Sequence, residues 1–89
     1  MSITYDSILS SGTQVICDQM ENMIREKIDV ISLEVAGNGG HFALEVKSKD
    51  FNGKSLLEKQ RLVYGAIAPL MKGLDAPVHA IDRMDIHEG

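Results

Sequence analysis

Residues 30 to 47 leave this chain the least freedom. Ile31, Leu33 and Val35 alternate with Ser32 and Glu34, and Phe42, Leu44 and Val46 alternate with His41, Ala43, Glu45 and Lys47. A period of two sends successive side chains to opposite faces of a strand. Between the two runs stands Gly37-Asn38-Gly39-Gly40, residue types that accept the positive φ a tight reversal needs. The pattern predicts an antiparallel hairpin with one apolar face. A lone hairpin is marginal in water, so the rest of the chain has to cover that face.

The flanking segments have the period to do so. Ile16, Met20, Met23, Ile24 and Ile28 recur at three and four, which predicts a helix over 13–28. Phe51-Asn52-Gly53-Lys54 reads as a turn, and Ser55-Leu56-Leu57-Glu58 matches a capping box, in which the serine and glutamate each satisfy a free N–H. The helix it opens spans 55–68, with Leu56, Gln60, Val63, Ile67, Leu70 and Met71 near one face. Pro69 disrupts a helix interior, so Pro69–Lys72 is a separate helical turn that Gly73 ends. After the linker 74–77 comes a last strand over 78–86, with Val78, Ala80, Met84 and Ile86 on one side. Asp82 interrupts that side and Ile81 sits opposite, which leaves a bulge or an early strand end open. The order is that of an α+β fold, with helices on one face of a three-stranded sheet. Residues 13–89 form one domain, and 1–12 form an N-terminal extension, either flexible or packed through Ile3, Ile8 and Leu9.

With 89 residues the chain builds one modest core. It has no apolar run of the roughly 18–20 residues a membrane helix needs. Met1-Ser2-Ile3-Thr4-Tyr5-Asp6 lacks a basic stretch leading into an apolar one, so a cytoplasmic location is expected. The net charge of −4 argues against nucleic acid as the main partner. Within 41–73, however, Lys47, Lys49, Lys54, Lys59, Arg61 and Lys72 outnumber Glu45, Asp50 and Glu58. That segment is either an ordinary solvated surface or a basic docking face.

Nothing in the sequence points to an enzyme. It contains no P-loop, H-E-x-x-H or C-x-x-C motif, and no recognisable nucleophile arrangement. Gly37-Asn38-Gly39-Gly40 matches the G-x-x-G loop with which KH domains clamp nucleic acid. That loop belongs between helices, whereas this one lies between strands. The histidines are more informative. His41 opens the second strand, His79 opens the last one just after Pro77, and His87 lies in the tail. Imidazole ligates iron well, and two strand-end histidines can meet in a small sheet. Two imidazoles still leave a [2Fe–2S] centre short of its four ligands. Cys17, the one cysteine, is predicted on a helix as a small core residue. A cluster here would take its thiols from a partner.

Three blocks then resemble the BolA family. Phe51-Asn52-Gly53-Lys54-Ser55-Leu56-Leu57-Glu58-Lys59-Gln60-Arg61-Leu62-Val63-Tyr64 looks like its F-x-G-K-x start followed by an R-H-R-L-V-Y-like stretch. Val78-His79-Ala80-Ile81 is similar to its C-terminal I-H-A-L, and Gly39-Gly40-His41-Phe42 resembles the G-S-H-F hairpin of the IbaG-like branch. The likeness runs from about Cys17 to Asp85. It implies an αββαβ fold related to class II KH domains, with a mixed sheet. It also implies a chain that is monomeric alone, pairs with a monothiol glutaredoxin and shares a bridging [2Fe–2S] cluster with it. In that resemblance His79 matches the invariant C-terminal histidine ligand and His41 the variable ligand of the hairpin loop. The glutaredoxin cysteine and glutathione would complete the set. Lys54, Lys59 and Arg61, with Lys47 and Lys49, would dock the partner. The family is also credited with DNA-binding transcriptional regulation, for which the basic residues 47–61 would serve. The chain departs from the family at Gln60, in place of the central histidine of R-H-R, at Arg83, and in lacking the T-P-x-x-W tail.

Overall fold

The computed structural model describes residues 11–89. The extension expected over 1–12 therefore lies outside the described residues for 1–10. The first helix, α1 (Ser11–Lys27), begins two residues before its expected start. Ser11 and Gly12 are weak helix formers, but tertiary context overrides so small a preference. The buried stripe of α1 is Cys17, Met20 and Ile24, continued by Ile28.

The predicted hairpin is β1 (Val30–Asn38) and β2 (His41–Ser48), paired antiparallel. Its turn is shorter than the four residues expected, because the ladder runs on to Asn38 opposite His41. Gly37 thus sits in β1 opposite Phe42, and a Cβ there would stand 2.1 Å from Phe42 Cδ2. The phenylalanine ring occupies the space that any side chain at 37 would need. Phe42, Leu44 and Val46 are buried, as the alternation predicts. Ile31 is not: the register shifts between Val30 and Ser32, and Ile31 is 55% exposed. An extra residue in one strand flips outward as the strand bends, which removes Ile31 from the apolar row of Leu33 and Val35.

A 3₁₀ turn, Lys49–Phe51, buries Phe51 completely. The following Asn52 grips the chain end: its Nδ2 donates to Gly89 O at 2.9 Å, and Gly89 N donates to its Oδ1 at 3.0 Å. The capping box forms as predicted. Glu58 N donates to Ser55 Oγ at 3.2 Å, and Ser55 N donates to Glu58 Oε1 at 2.9 Å. The helix it caps, α2 (Leu56–Ile67), buries Val63, Ala66 and Ile67. Leu56 is 64% exposed, a correction to the expected stripe. Spacing gives a residue's angle around a helix, not how far along the axis the core begins. A second 3₁₀ turn, Ala68–Leu70, accommodates Pro69 near its start.

Val78 is buried and its N–H donates to Leu70 O at 3.1 Å. The last strand, β3 (Ala80–Glu88), then runs parallel to β2, so the sheet order is β1-β2-β3 with β2 central. The bulge left open by the sequence is present: Phe42 faces Ile81 but Ala43 faces Arg83, which makes Asp82 the extra residue. This corrects the side assignment. Ile81, Met84 and Ile86 pack on the core together, while Ala80 pairs with His41 on the other face. Both helices cover the face of Phe42, Leu44 and Val46, in the α+β arrangement with a mixed sheet expected from the sequence. No helix among the described residues is long and apolar enough to cross a membrane.

Ser48 is the one buried polar side chain among the core residues. Its hydroxyl donates to Asp29 O at 2.7 Å and accepts from Asp50 N at 3.0 Å, tying the α1–β1 junction to the end of β2. Ser48→Ala leaves both groups short of a partner. It should lower unfolding stability by about 1–3 kcal/mol, read as a shift in urea midpoint with an unchanged slope.

Candidate functional site

The two histidines lie at one end of the sheet. The β2–β3 ladder starts with His41 opposite Ala80. Just before it, the N–H groups of His79 and Ala80 both donate to Gly40 O, at 2.8 and 3.2 Å. The parallel crossover through α2 thus returns the chain to the hairpin turn. Both rings are on exposed residues. His41 pairs with Ala80 on the first rung, and His79 precedes that rung, held by its backbone N–H to Gly40 O.

Each ring has its own support. His41 Nδ1 stands 3.1 Å from Asp82 Oδ1, with both side chains well exposed. Asp82 can reach it because the bulge turns this residue out of the core row. A carboxylate on Nδ1 holds the proton there and leaves the Nε2 lone pair for an external ligand. His79 instead lies against Gly40: a Cβ on Gly40 would stand 2.1 Å from His79 Cδ2.

This end of the molecule supplies two imidazole donors. Among the described residues, no group of three or more His, Cys, Asp and Glu side chains is arranged to hold a metal ion. Cys17 cannot add a thiolate. It is 6% exposed on the core side of α1, and burial, aided by the charges of Asp18 and Glu21, pushes its thiol above the ordinary range.

The five basic residues do not form one patch with the histidines. His41 opens β2, whereas Lys47 and Lys49 stand at or just past its other end. Seven residue steps separate His41 from Ser48, about 23 Å at ~3.3 Å per residue. Lys47 is outward on the face that neither α1 nor α2 covers, the helix-free face among the described residues, opposite His87. Lys54 and Arg61 line a shallow hollow of about 240 Å³ with Glu58 and Leu62 on the other side of the sheet, at the start of α2. Lys59 is committed within the chain, its Nζ lying 2.9 Å from Glu88 Oε2 with the side chain only 17% exposed. That amine holds Glu88 below the usual carboxylate range, and the capping hydrogen bond from Ser55 does the same for Glu58.

Sequence reasoning missed the helix-free face. Glu34, Glu45 and Asp85 are lateral neighbours across the three strands. They wall a hollow of about 180 Å³ floored by Ala36 and Ala43. Arg83 Nε lies 2.7 Å from Asp85 Oδ2, and His87 Nε2 lies 3.1 Å from Glu45 Oε2. The alternation marks Glu34 and Glu45 as outward, but only the register makes them adjacent. His87, read as tail, is part of β3.

Residues 15–84 match the family model described as BolA-like protein. Protein BOLA2 of Arabidopsis thaliana is 40% identical over 63 residues, 66% of this chain and 68% of that protein. A solved bol-like protein from Babesia bovis is 30% identical, with a TM-score of 0.69 over 81% of this chain and 83% of that one. The BolA domain of SufE1 from Arabidopsis thaliana is 25% identical, with a TM-score of 0.65 over 81% and 90%. Yeast Fra2 is also 25% identical, with a TM-score of 0.58 over 86% and 76%.

The environment of Cys17 makes a direct prediction. In native protein the thiol should resist alkylation by iodoacetamide and react promptly once urea unfolds the chain, as read by mass spectrometry. The sign of the pH effect follows from the raised folded value. The contribution of Cys17 to stability is complete below the unfolded thiol range, about 8.5. It declines as pH rises through the folded value.

Proposed function

This chain belongs to the BolA-like family, and on that premise we propose that it is a non-catalytic adaptor that pairs with a monothiol glutaredoxin and co-ligates a [2Fe–2S] cluster held between the two proteins. In this reading it is a cytoplasmic protein, monomeric alone and heterodimeric with its partner, and it acts in iron–sulfur trafficking or iron regulation. The observation that supports it most is that His41 and His79 lie at the same end of the sheet, through the hydrogen bonds to Gly40 O. The buried state of Cys17 supports it from the other side, since this chain then offers nitrogen and the partner sulfur.

His79 and His41 would hold one side of the cluster, with the glutaredoxin cysteine and glutathione on the other. When bound, a cluster with neutral imidazoles in place of thiolates has a higher reduction potential than an all-cysteine one. The work of this chain is to present two ring nitrogens at a fixed place. Asp82 orients the His41 ring through Nδ1, and Gly40 O holds His79 by accepting its backbone N–H. Lys54 and Arg61, side by side at the start of α2, would meet acidic side chains of the partner. Lys59 acts within the chain, bracing Glu88.

A second reading is a DNA-binding transcriptional regulator, favoured by the placement of Lys54 and Arg61 together on an exposed hollow. The acidic row Glu34, Glu45 and Asp85 on the helix-free face opposes it, because phosphate binding needs a positive footprint.

Mixing the protein with a monothiol glutaredoxin, glutathione, ferric iron and sulfide should yield a coloured one-to-one complex. His79→Ala should change its visible circular dichroism and weaken the association; His41→Ala should do so through loss of the second nitrogen. Unchanged spectra and affinity for both variants would overturn the adaptor reading. A gel-shift titration on duplex DNA separates the second reading: binding that weakens steeply between 50 and 200 mM salt, on the order of 10³-fold or more, would support it.

A further inference from the structure

Gly40 makes three separate contributions at the histidine end. Its φ of +84° lies in the left-handed region, where glycine is at ease and other residues are strained. Its carbonyl accepts both N–H groups that start β3. Its missing side chain leaves the space into which the His79 ring points.

The geometry of that contact is specific. From the place a Cβ would occupy, His79 Cδ2 is 2.1 Å away, Cγ 3.1 Å and Nε2 3.2 Å. Cγ and Nε2 are the two ring atoms bonded to Cδ2. Their equal and much longer distances are those of an approach in the ring plane, along the Cδ2–H bond. Stacking on the ring face would bring all three atoms to similar distances. The Cδ2 corner of His79 is therefore seated against Gly40, and the opposite edge, Nδ1–Cε1, is turned away from the hairpin.

We propose that Gly40 is a positioning residue for His79, acting as a seat that fixes the rotation of the imidazole and so the direction in which its nitrogens are offered. The inference rests on the reading of His79 as a ligand. It adds that the hairpin glycine belongs to the ligand-presenting unit through its absent Cβ, beyond its turn geometry. Any L-residue at 40 drives the ring off its seat, since no side chain tolerates a 2.1 Å approach.

Gly39 provides a matched control. It too has positive φ, +61°, but a Cβ there meets nothing within 4 Å. Gly39→Ala and Gly40→Ala therefore share the backbone strain and differ in the ring contact. Gly40→Asn is a second test variant, because asparagine tolerates positive φ while its Cβ still collides with the ring.

The experiment has two readouts. In the free chain, nuclear Overhauser contacts between His79 Hδ2 and the Gly40 α-protons should be present in the parent and retained in Gly39→Ala. In Gly40→Ala and Gly40→Asn the His79 ring resonances should move. In the reconstituted glutaredoxin complex, both Gly40 variants should shift the visible circular dichroism toward that of His79→Ala. They should also lose iron to a chelator about tenfold faster or more, within the range for disturbed ligand support, while Gly39→Ala stays near the parent. If His79→Ala alters the complex but the Gly40 variants do not, or if Gly39→Ala does as much as they do, the positioning role is overturned and the ligand reading stands. If His79→Ala itself leaves the spectrum unchanged, the ligand reading fails and Gly40 positions nothing.

Discussion

Everything in this small fold depends on β2 being paired along both edges and buried on one face. Phe42, Leu44 and Val46 are the floor on which α1 and α2 settle, and the same strand accepts β1 antiparallel and β3 parallel. Burial of three such side chains contributes several kcal/mol, at roughly 1.5–3 kcal/mol each, in a chain short enough for that to be decisive. With β2 pinned from both sides, its first residue becomes a fixed point. His41 opens the strand, Gly40 accepts the incoming β3, and His79 is delivered beside it.

The two bulges show how a regular sheet is adapted to irregular duties. At Ile31 the extra residue takes an apolar side chain out of the core row. At Asp82 it takes a carboxylate out of a row that continues as Ile81, Met84 and Ile86, and places it against the His41 ring. A regular strand would set Asp82 facing the core or Ile81 facing water. One additional residue resolves the conflict and supplies an orienting partner to a candidate ligand.

Charge is sorted by face and by end. The helix-free face has the carboxylate row with its arginine and histidine partners. Lys54 and Arg61 stand at the start of α2, and the histidines share the opposite end of β2. The terminus is fastened at the lysine end by Asn52 on Gly89 and by Lys59 on Glu88. This fastening gives the F-N-G-K segment a structural purpose: Phe51 fills the core while its neighbour clamps the chain end.

Local periodicity and turn chemistry alone determined the hairpin, both helices, the capping box at Ser55 and the burial of Phe42, Leu44, Val46, Val63 and Ile67. Each depends on residues within a few positions of one another, and three blocks of sequence sufficed to suggest the family. Tertiary structure decided what depends on register between distant segments. It placed His79 beside Gly40 and assembled Glu34, Glu45 and Asp85 into a row. It also turned Lys59 from a free docking charge into a brace for Glu88. Periodicity tells a side chain which way to face along its own strand, but a neighbour on another strand is chosen by pairing. A one-residue shift there moves every side chain to the other face.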